Sequence, residues 1–428
     1  MKERIRNFLV SPLVKGSFWL AIASLLGNLL NYLYNLLVGR SLGPSLYGAF
    51  GSLISIVTII LVLASGVQIV SAKHTSRFMV GKKEKIHSLF VVLNKKMALI
   101  GLLVFLLFAA LSPFISRFLK IPSFLPVFIL SFIFLVAFLA PVARGILQGL
   151  QKFIFLSMIT TLEGAIKFFG ALILLALGFS LNGAVFALIL GVFISYAVIF
   201  FPLRKMLSES QNQEVLKTKT IKEDTLAVTL FYLGSTLLIT LNIIIVKYYF
   251  PPFEAGLFVS ISTLSLIIFY LISAIVTVSL PQISQQFHRG GNHLKILKEA
   301  IVLALIIGIS ITLIYFLFPE IIVNIFFGNN YVMAAQYLGL YALSIIFYSL
   351  AQLFVTYFFA IQENRPAYLP LVASIIFFLS LLIFHNNLWQ IISISLVINF
   401  LLLLALLVFF YKAPKKGQKK IALATKNI

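Results

Sequence analysis

The feature that most constrains this chain is the recurrence of apolar runs long enough to cross a bilayer. They fall at 13–38, 46–72, 97–118, 124–147, 153–177 and 181–203 in the first half, and at 225–250, 257–283, 300–318, 334–360, 368–384 and 389–411 in the second. A spanning helix needs about 20 apolar residues, and a helix satisfies its own backbone hydrogen bonds where no water can. The alternating ten-residue segments of a membrane barrel are not seen. Composition agrees: 61% of residues are hydrophobic and 10% charged, against roughly 45–50% and 25% in soluble domains. The expected fold is therefore an all-α integral membrane protein of about twelve transmembrane helices. With no Cys and five scattered His, disulfides, thiolate metal sites and thiol catalysis are excluded, and no metal or cofactor is expected.

A formal charge of +22 would suggest nucleic acid in a soluble chain, but here its placement follows the bilayer. Of the 33 Lys and Arg, all but Arg40, Arg117, Lys120, Lys167 and Lys247 fall on one side of the expected spans. Cytoplasmic segments hold such an excess, so both termini are expected in the cytoplasm of a multi-pass protein of the cell membrane, and no nucleic-acid partner is needed. The first span is too long for a signal peptide and lacks a small-residue cleavage site. Outer connections such as Lys120-Ile121-Pro122-Ser123 and His385-Asn386-Asn387-Leu388 are too short to hold an active site. The longest polar stretch divides the chain into a six-helix lobe at 1–204, a cytoplasmic linker at 205–224, a second six-helix lobe at 225–411 and a basic tail at 412–428.

The halves repeat weakly but in order. A P-x-x-x-G-x-F pattern from Pro44 to Phe50 recurs from Pro252 to Phe258, and Phe78-Met79-Val80-Gly81 is echoed by Phe287-His288-Arg289-Gly290. Pro113 and Pro319 end spans three and nine, and Leu147-Gln148 and Ile361-Gln362 end spans four and ten. Equivalents six spans apart share orientation, which implies two pseudo-symmetric lobes about an axis along the membrane normal, suited to an alternating-access transporter.

Several segments carry a family resemblance. They are Gly39-Arg40-Ser41-Leu42-Gly43-Pro44-Ser45-Leu46-Tyr47-Gly48, Arg144-Gly145-Ile146-Leu147-Gln148-Gly149-Leu150-Gln151, Glu163-Gly164-Ala165-Ile166-Lys167, Gly183-Ala184, Pro252 through Phe258, and Pro319 with Phe327-Gly328-Asn329-Asn330-Tyr331. In this order the chain resembles the polysaccharide-transporter branch of the multidrug/oligosaccharidyl-lipid/polysaccharide exporter superfamily, which includes O-antigen flippases. The resemblance implies a two-lobed carrier that flips a polyprenyl-diphosphate-linked glycan from the cytoplasmic to the outer leaflet. It also implies membrane lipids, a glycan polymerase and other export machinery as partners. One departure stands out: similar proteins often carry an Asp just after the Asn of span seven, whereas Asn242 is followed by three Ile, and Asp224 is the chain's only Asp.

Ionisable residues at membrane depth cost about 2.5–3.5 kcal/mol each on insertion scales and mark candidate sites. Glu163 and Lys167 stand four apart on span five and share a helix face. They read either as a self-neutralising structural pair or as a site in which Lys167 meets a substrate phosphate and Glu163 is a protonatable switch. Asn28, Asn31 and Asn35 form a stripe on span one suited to sugar hydroxyls, or to interhelical bonds. Arg40, Arg144 and Lys247 lie near span ends, where snorkelling to headgroups is the default and a diphosphate contact the alternative. Gln68, Asn242, Gln352 and Tyr357 read as packing residues, and Lys82-Lys83-Glu84-Lys85 as an anionic-lipid contact.

Three other functions compete with a glycan flippase. A cation-coupled small-molecule antiporter would need acidic groups within the spans, where the chain offers Glu163 with Lys167 beside it. A membrane glycan polymerase or ligase would need a large outer loop, and a scramblase or scaffold would show no directionality. Orientation has a direct check, because the background lacks thiols. A Ser210→Cys variant in intact cells is expected to resist an impermeant thiol reagent added outside, and labelling there would reverse the topology.

Overall fold

A computed structural model describes residues 12–79, 84–208 and 219–412. The middle of the expected linker with Ser210, the basic tail beyond Lys412, the amino-terminal arm before Pro12 and Lys82-Lys83 lie outside the described residues. Every regular element among the described residues is helical, and eleven stretches are long and apolar enough to cross a membrane. One of the eleven is double. The helical stretch Pro12–Phe78 has 67 residues, about 100 Å at 1.5 Å per residue, roughly three times a bilayer's hydrocarbon core. Gly43 breaks it with φ 71° and ψ 172°, a conformation open to glycine alone without strain. Pro44 follows, where its missing N–H costs nothing in the first turn of a new helix. The stretch is therefore two helices, α1 (12–42) and α2 (44–78), and the twelve expected spans are all present.

Two spans differ from the sequence expectation. Helix α3, Glu84–Ala110, starts well before Met97 and carries Lys95 and Lys96 exposed on its surface. Hydropathy marks where a helix enters the bilayer, whereas Lys and Glu are good helix formers that extend it into water. Helix α4, Leu125–Gly149, runs in three segments, Leu125–Ser131, Phe134–Ala137 and Ala140–Gly149. At the joints the amides of Phe132, Ile133, Leu135, Val136, Leu139 and Val142 bond three residues back at 2.9–3.2 Å, so the helix is locally tightened rather than unwound. Pro141, which lacks a donor, sits at the start of the last segment.

Of the described residues, those up to 53 and those of 60–229 form one compact unit, and 54–59 with those from 230 onward form another. The first contains α5, Phe153–Ala176, and α6, Ser180–Ser208. Along α1, Gly27, Asn31 and Tyr34 lie one helical turn apart and face these two helices. A Cβ on Gly164 of α5 would lie 2.9 Å from the Gly27 carbonyl oxygen, and one on Gly27 would lie 2.9 Å from the Thr161 nitrogen, so the α1 and α5 backbones touch. Tyr34, 2% exposed, donates to the Ala184 carbonyl on α6 at 2.8 Å. Leu89 and Leu93 of α3, Val142 and Ile146 of α4, Ile159 of α5 and Ile199 of α6 share one apolar core.

The second unit holds α7, Lys219–Tyr249, from residue 230 onward, α8, Pro252–His288, α9, His293–Leu317, α10, Ala335–Ala360, α11, Leu369–Ile383, and α12, Leu388–Lys412. Helix α10 is buried along most of its surface and is tied in by neutral hydrogen bonds. Asn242 of α7 donates to Tyr341 at 2.9 Å, Tyr348 donates to the Ser235 carbonyl at 3.1 Å, and Gln352 donates to the Ser235 hydroxyl at 2.9 Å. The landmark prolines behave alike in both halves: Pro113 and Pro319 each open a short helix, Ser112–Phe118 and Pro319–Phe327, directly after a span.

Close contact at Gly164 yields a stability test. Gly164→Val is expected to destabilise the purified protein by about 1–3 kcal/mol through overpacking against α1. Gly170→Ala on the same helix, where a Cβ meets nothing nearer than 3.5 Å, is expected to stay within about 0.5 kcal/mol of the parent in thermal unfolding.

Candidate functional site

Four helices of the first unit bring one carboxylate against two cations. Glu163 and Lys167, one turn apart on α5, are paired through Oε1 and Nζ at 2.6 Å. Arg144, from the last segment of α4, takes the other oxygen, Oε2, through Nη2. The Lys167 ammonium also donates to Asn31 Oδ1 on α1 at 3.2 Å. Ser195 of α6 places its hydroxyl 3.4 Å from Glu163 Oε2 while donating to the Val192 carbonyl at 2.9 Å. The side chains of Glu163 and Lys167 are 12% and 11% exposed and that of Arg144 30%, so the cluster is largely withdrawn but approachable from the Arg144 side.

Local packing explains why these groups meet. Gly191 of α6 lies under the Lys167 stem, where a Cβ would come within 2.6 Å of Cγ and 3.3 Å of Cε. The missing side chain lets the lysine lie flat across α6 and turn its head toward Glu163. Gly145 and Gly149, flanking the next turn of α4, are pressed on α2 so closely that a Cβ on Gly149 would lie 2.6 Å from the Ala72 carbonyl oxygen and from Thr75 Cβ. That contact, together with the core positions Ala143 and Ile146, fixes the segment from which Arg144 projects.

The cluster is not neutral. One carboxylate faces two cations, leaving one positive charge, and hydrogen-bond donors outnumber acceptors. Arg144 Nε is buried with no partner, and the three-proton Lys167 ammonium meets two acceptors, Glu163 and Asn31. A partly buried site with spare donors and excess positive charge is built for an anion.

Of the sequence-derived candidates, Lys167, Glu163, Asn31 and Arg144 converge. Arg144 does not snorkel to headgroups; it pairs with Glu163 across the α4–α5 turn. Asn35 is not part of the cluster, because its amide is spent on the Asn31 carbonyl at 2.8 Å, and the Asn31 amide likewise bonds the Gly27 carbonyl at 2.8 Å. Asn28 and Arg40 are exposed away from it, and Lys247 is buried, 1% exposed, in the second unit. The expected asparagine stripe thus contributes one acceptor, Asn31 Oδ1. Ser195 and Gly191 are residues that sequence reasoning passed over, although their four-residue spacing of small side chains marks a helix-packing face. Among the other polar candidates, Gln68 meets Gln148 at 3.4 Å and Tyr357 meets His293 Nδ1 at 3.3 Å, both packing contacts.

This fold is that of solved transporters of the MOP superfamily, the exporter superfamily named above. A multidrug resistance MATE family transporter in an inward-facing conformation superposes with a TM-score of 0.74 at 16% identity, over 92% of this chain and 96% of that one. Its outward-facing counterpart gives 0.69 at 17%, over 96% of each chain. A MOP superfamily transporter from Pyrococcus furiosus, described as having a binding pocket of reversed polarity that suggests a different function, gives 0.70 at 16%, over 97% of each chain. No curated protein matches the sequence. Residues 13–287 match the family described as polysaccharide biosynthesis protein, and the chain belongs to that family. By the length and apolarity of its helices and by its fold it is a multi-pass membrane protein with the architecture of those transporters.

The shared carboxylate predicts non-additive stability. Glu163→Gln and Lys167→Met are each expected to destabilise, and the double variant is expected to lose about 1–3 kcal/mol less than the sum, since it removes one anion and one cation together. Thermal unfolding of the four proteins in detergent measures that coupling.

Proposed function

We propose that the protein flips a polyprenyl-diphosphate-linked oligosaccharide from the cytoplasmic to the outer leaflet during cell-surface polysaccharide biosynthesis. The observation that carries this reading is the net positive, donor-rich cluster of Arg144, Lys167 and Glu163, on a chain of the polysaccharide biosynthesis family. A diphosphate offers several anionic oxygens to fixed guanidinium and ammonium donors, and Arg binds such groups in a forked geometry. Asn31 and Ser195 add neutral hydrogen-bonding groups beside the charges. The lipid tail stays in the bilayer while the lobes open alternately to the two sides. Both termini are cytoplasmic in this reading, and a glycan polymerase on the outer side takes the product.

A cation-coupled multidrug antiporter on the same fold is the second reading. It is less well supported by the site, since an organic cation would have to displace both Arg144 and Lys167 from the carboxylate they share. Likeness to MATE transporters at 16–17% identity bears on the fold alone.

The test uses purified protein in liposomes holding a labelled polyprenyl-diphosphate oligosaccharide, with leaflet accessibility followed over time. Protein-dependent movement is expected, slowed about tenfold or more in Lys167→Ala and in Arg144→Ala, the loss of a good charge-assisted contact. A folded protein that moves no lipid but exports small organic cations from the same vesicles would overturn the reading in favour of the antiporter.

A further inference from the structure

The carboxylate of Glu163 occupies the position that an incoming anion needs. Its two oxygens are held by two different cations, Oε2 by Arg144 and Oε1 by Lys167, much as two oxygens of one phosphate would be. We propose that Glu163 is a stand-in for the substrate's phosphate: it neutralises the site in the empty carrier, and the diphosphate displaces it from Arg144 and Lys167 on binding. The proposal rests on the phosphate reading of this cluster and adds how the site empties and resets.

Charge arithmetic drives the exchange. The charged and polar groups that face Glu163 are Arg144 from α4, Lys167 from α5 and Ser195 from α6, with Asn31 from α1 on the far side of the Lys167 ammonium, a set with two positive charges. With Glu163 in place the site carries one net positive charge. A diphosphate diester brings two negative charges, which the two cations balance, and the carboxylate is then surplus among like charges that compete for the same donors. The donors left over around it, Arg144 Nε and the third Lys167 proton, are those a phosphate with more acceptor oxygens than a carboxylate can fill. Ser195, whose hydroxyl already lies 3.4 Å from Oε2, stays beside the carboxylate as it swings off Arg144.

After release, Glu163 returns to both cations. Without it the empty carrier would have to reset with two uncompensated positive charges at membrane depth, a state the bilayer strongly opposes. The carboxylate therefore weakens substrate binding, by competition, and speeds the empty return. These two effects separate experimentally.

The probe is inorganic pyrophosphate, titrated calorimetrically into the purified full-length protein in nanodiscs. Glu163→Gln is expected to bind it about tenfold more tightly than the parent, because a competing anion is gone. Glu163→Ala, which leaves no amide to bond the phosphate, is expected to tighten binding in the same direction, whereas Arg144→Ala weakens it. In liposomes Glu163→Gln is expected to slow net flipping toward an empty leaflet while leaving exchange between two loaded leaflets intact. Unchanged or weaker pyrophosphate affinity in both Glu163 variants, with binding still lost in Arg144→Ala, would overturn the displacement and leave the phosphate site standing. A parent protein that ignores pyrophosphate, with Arg144→Ala and Lys167→Ala flipping at the parent rate, would overturn the phosphate site and the displacement with it.

Discussion

A single carboxylate makes the centre of the first lobe possible. Lys167 and Arg144 sit where an unpaired charge is expensive, and both are held by Glu163. A buried pair seldom stabilises a protein relative to apolar side chains of the same size, because desolvation offsets most of the attraction. A buried triad with one charge left over is worse in that respect. On the proposed reading, the surplus cation is there for the anion the site binds. Stability for the lobe comes from elsewhere, from the Leu89, Val142, Ile146 and Ile199 core and from backbone-close crossings, and the charged cluster is supported by that packing rather than being its source.

The packing is specific to the task of aiming charges. Glycines at 27 and 164 bring α1 against α5 so that Asn31 reaches Lys167, and Gly191 on α6 gives the lysine stem a groove to lie in. Helix α4 contributes its cation by a different device. Its tightened joints at Phe132–Ile133 and Phe138–Leu139 divide one span into three short rods, and the last rod, Ala140–Gly149, is pinned on α2. A straight helix would set the direction of Arg144 through the whole span; the jointed one lets the final segment be oriented by its own neighbours. Polar depth and helix irregularity coincide here, as they do in carriers generally, because a backbone that departs from the regular pattern is tolerated only where protein or a wet cavity covers it.

Much of this was legible in the sequence. The spans could be read because hydropathy is a property of each window by itself, and Gly43-Pro44 could be read as a divide because glycine and proline fix backbone geometry locally. The start of α3 could not: Lys95 and Lys96 look like a loop to any hydropathy argument and are helix to the backbone. Glu163 and Lys167 were visible through their four-residue spacing on one helix. Arg144 was visible only as a charge near a span end, since its partner is nineteen residues away across a turn whose geometry the sequence does not state. Ser195 was invisible, because a serine in an apolar helix ordinarily bonds its own carbonyls, as this one also does to Val192. Local rules thus recovered the elements and the intrahelical half of the cluster, and packing supplied the rest.

The two halves share a frame and divide the chemistry. Helix α11 comes fifth in the second half as α5 does in the first, yet its sequence from Leu369 to Ile383 contains no ionisable residue. The second unit buries a cation, Lys247, and is tied by neutral bonds, Asn242 to Tyr341, Ser235 to Gln352, and Asn399 to the Ser344 hydroxyl at 3.0 Å. Neutral bonds between packed helices hold one geometry without asking for a ligand. The ionic cluster keeps a donor unfilled, Arg144 Nε, and so has bonding capacity to spare. On the proposed reading, an anionic head is bound by groups of one unit, Arg144 and Lys167, rather than by matching clusters in both.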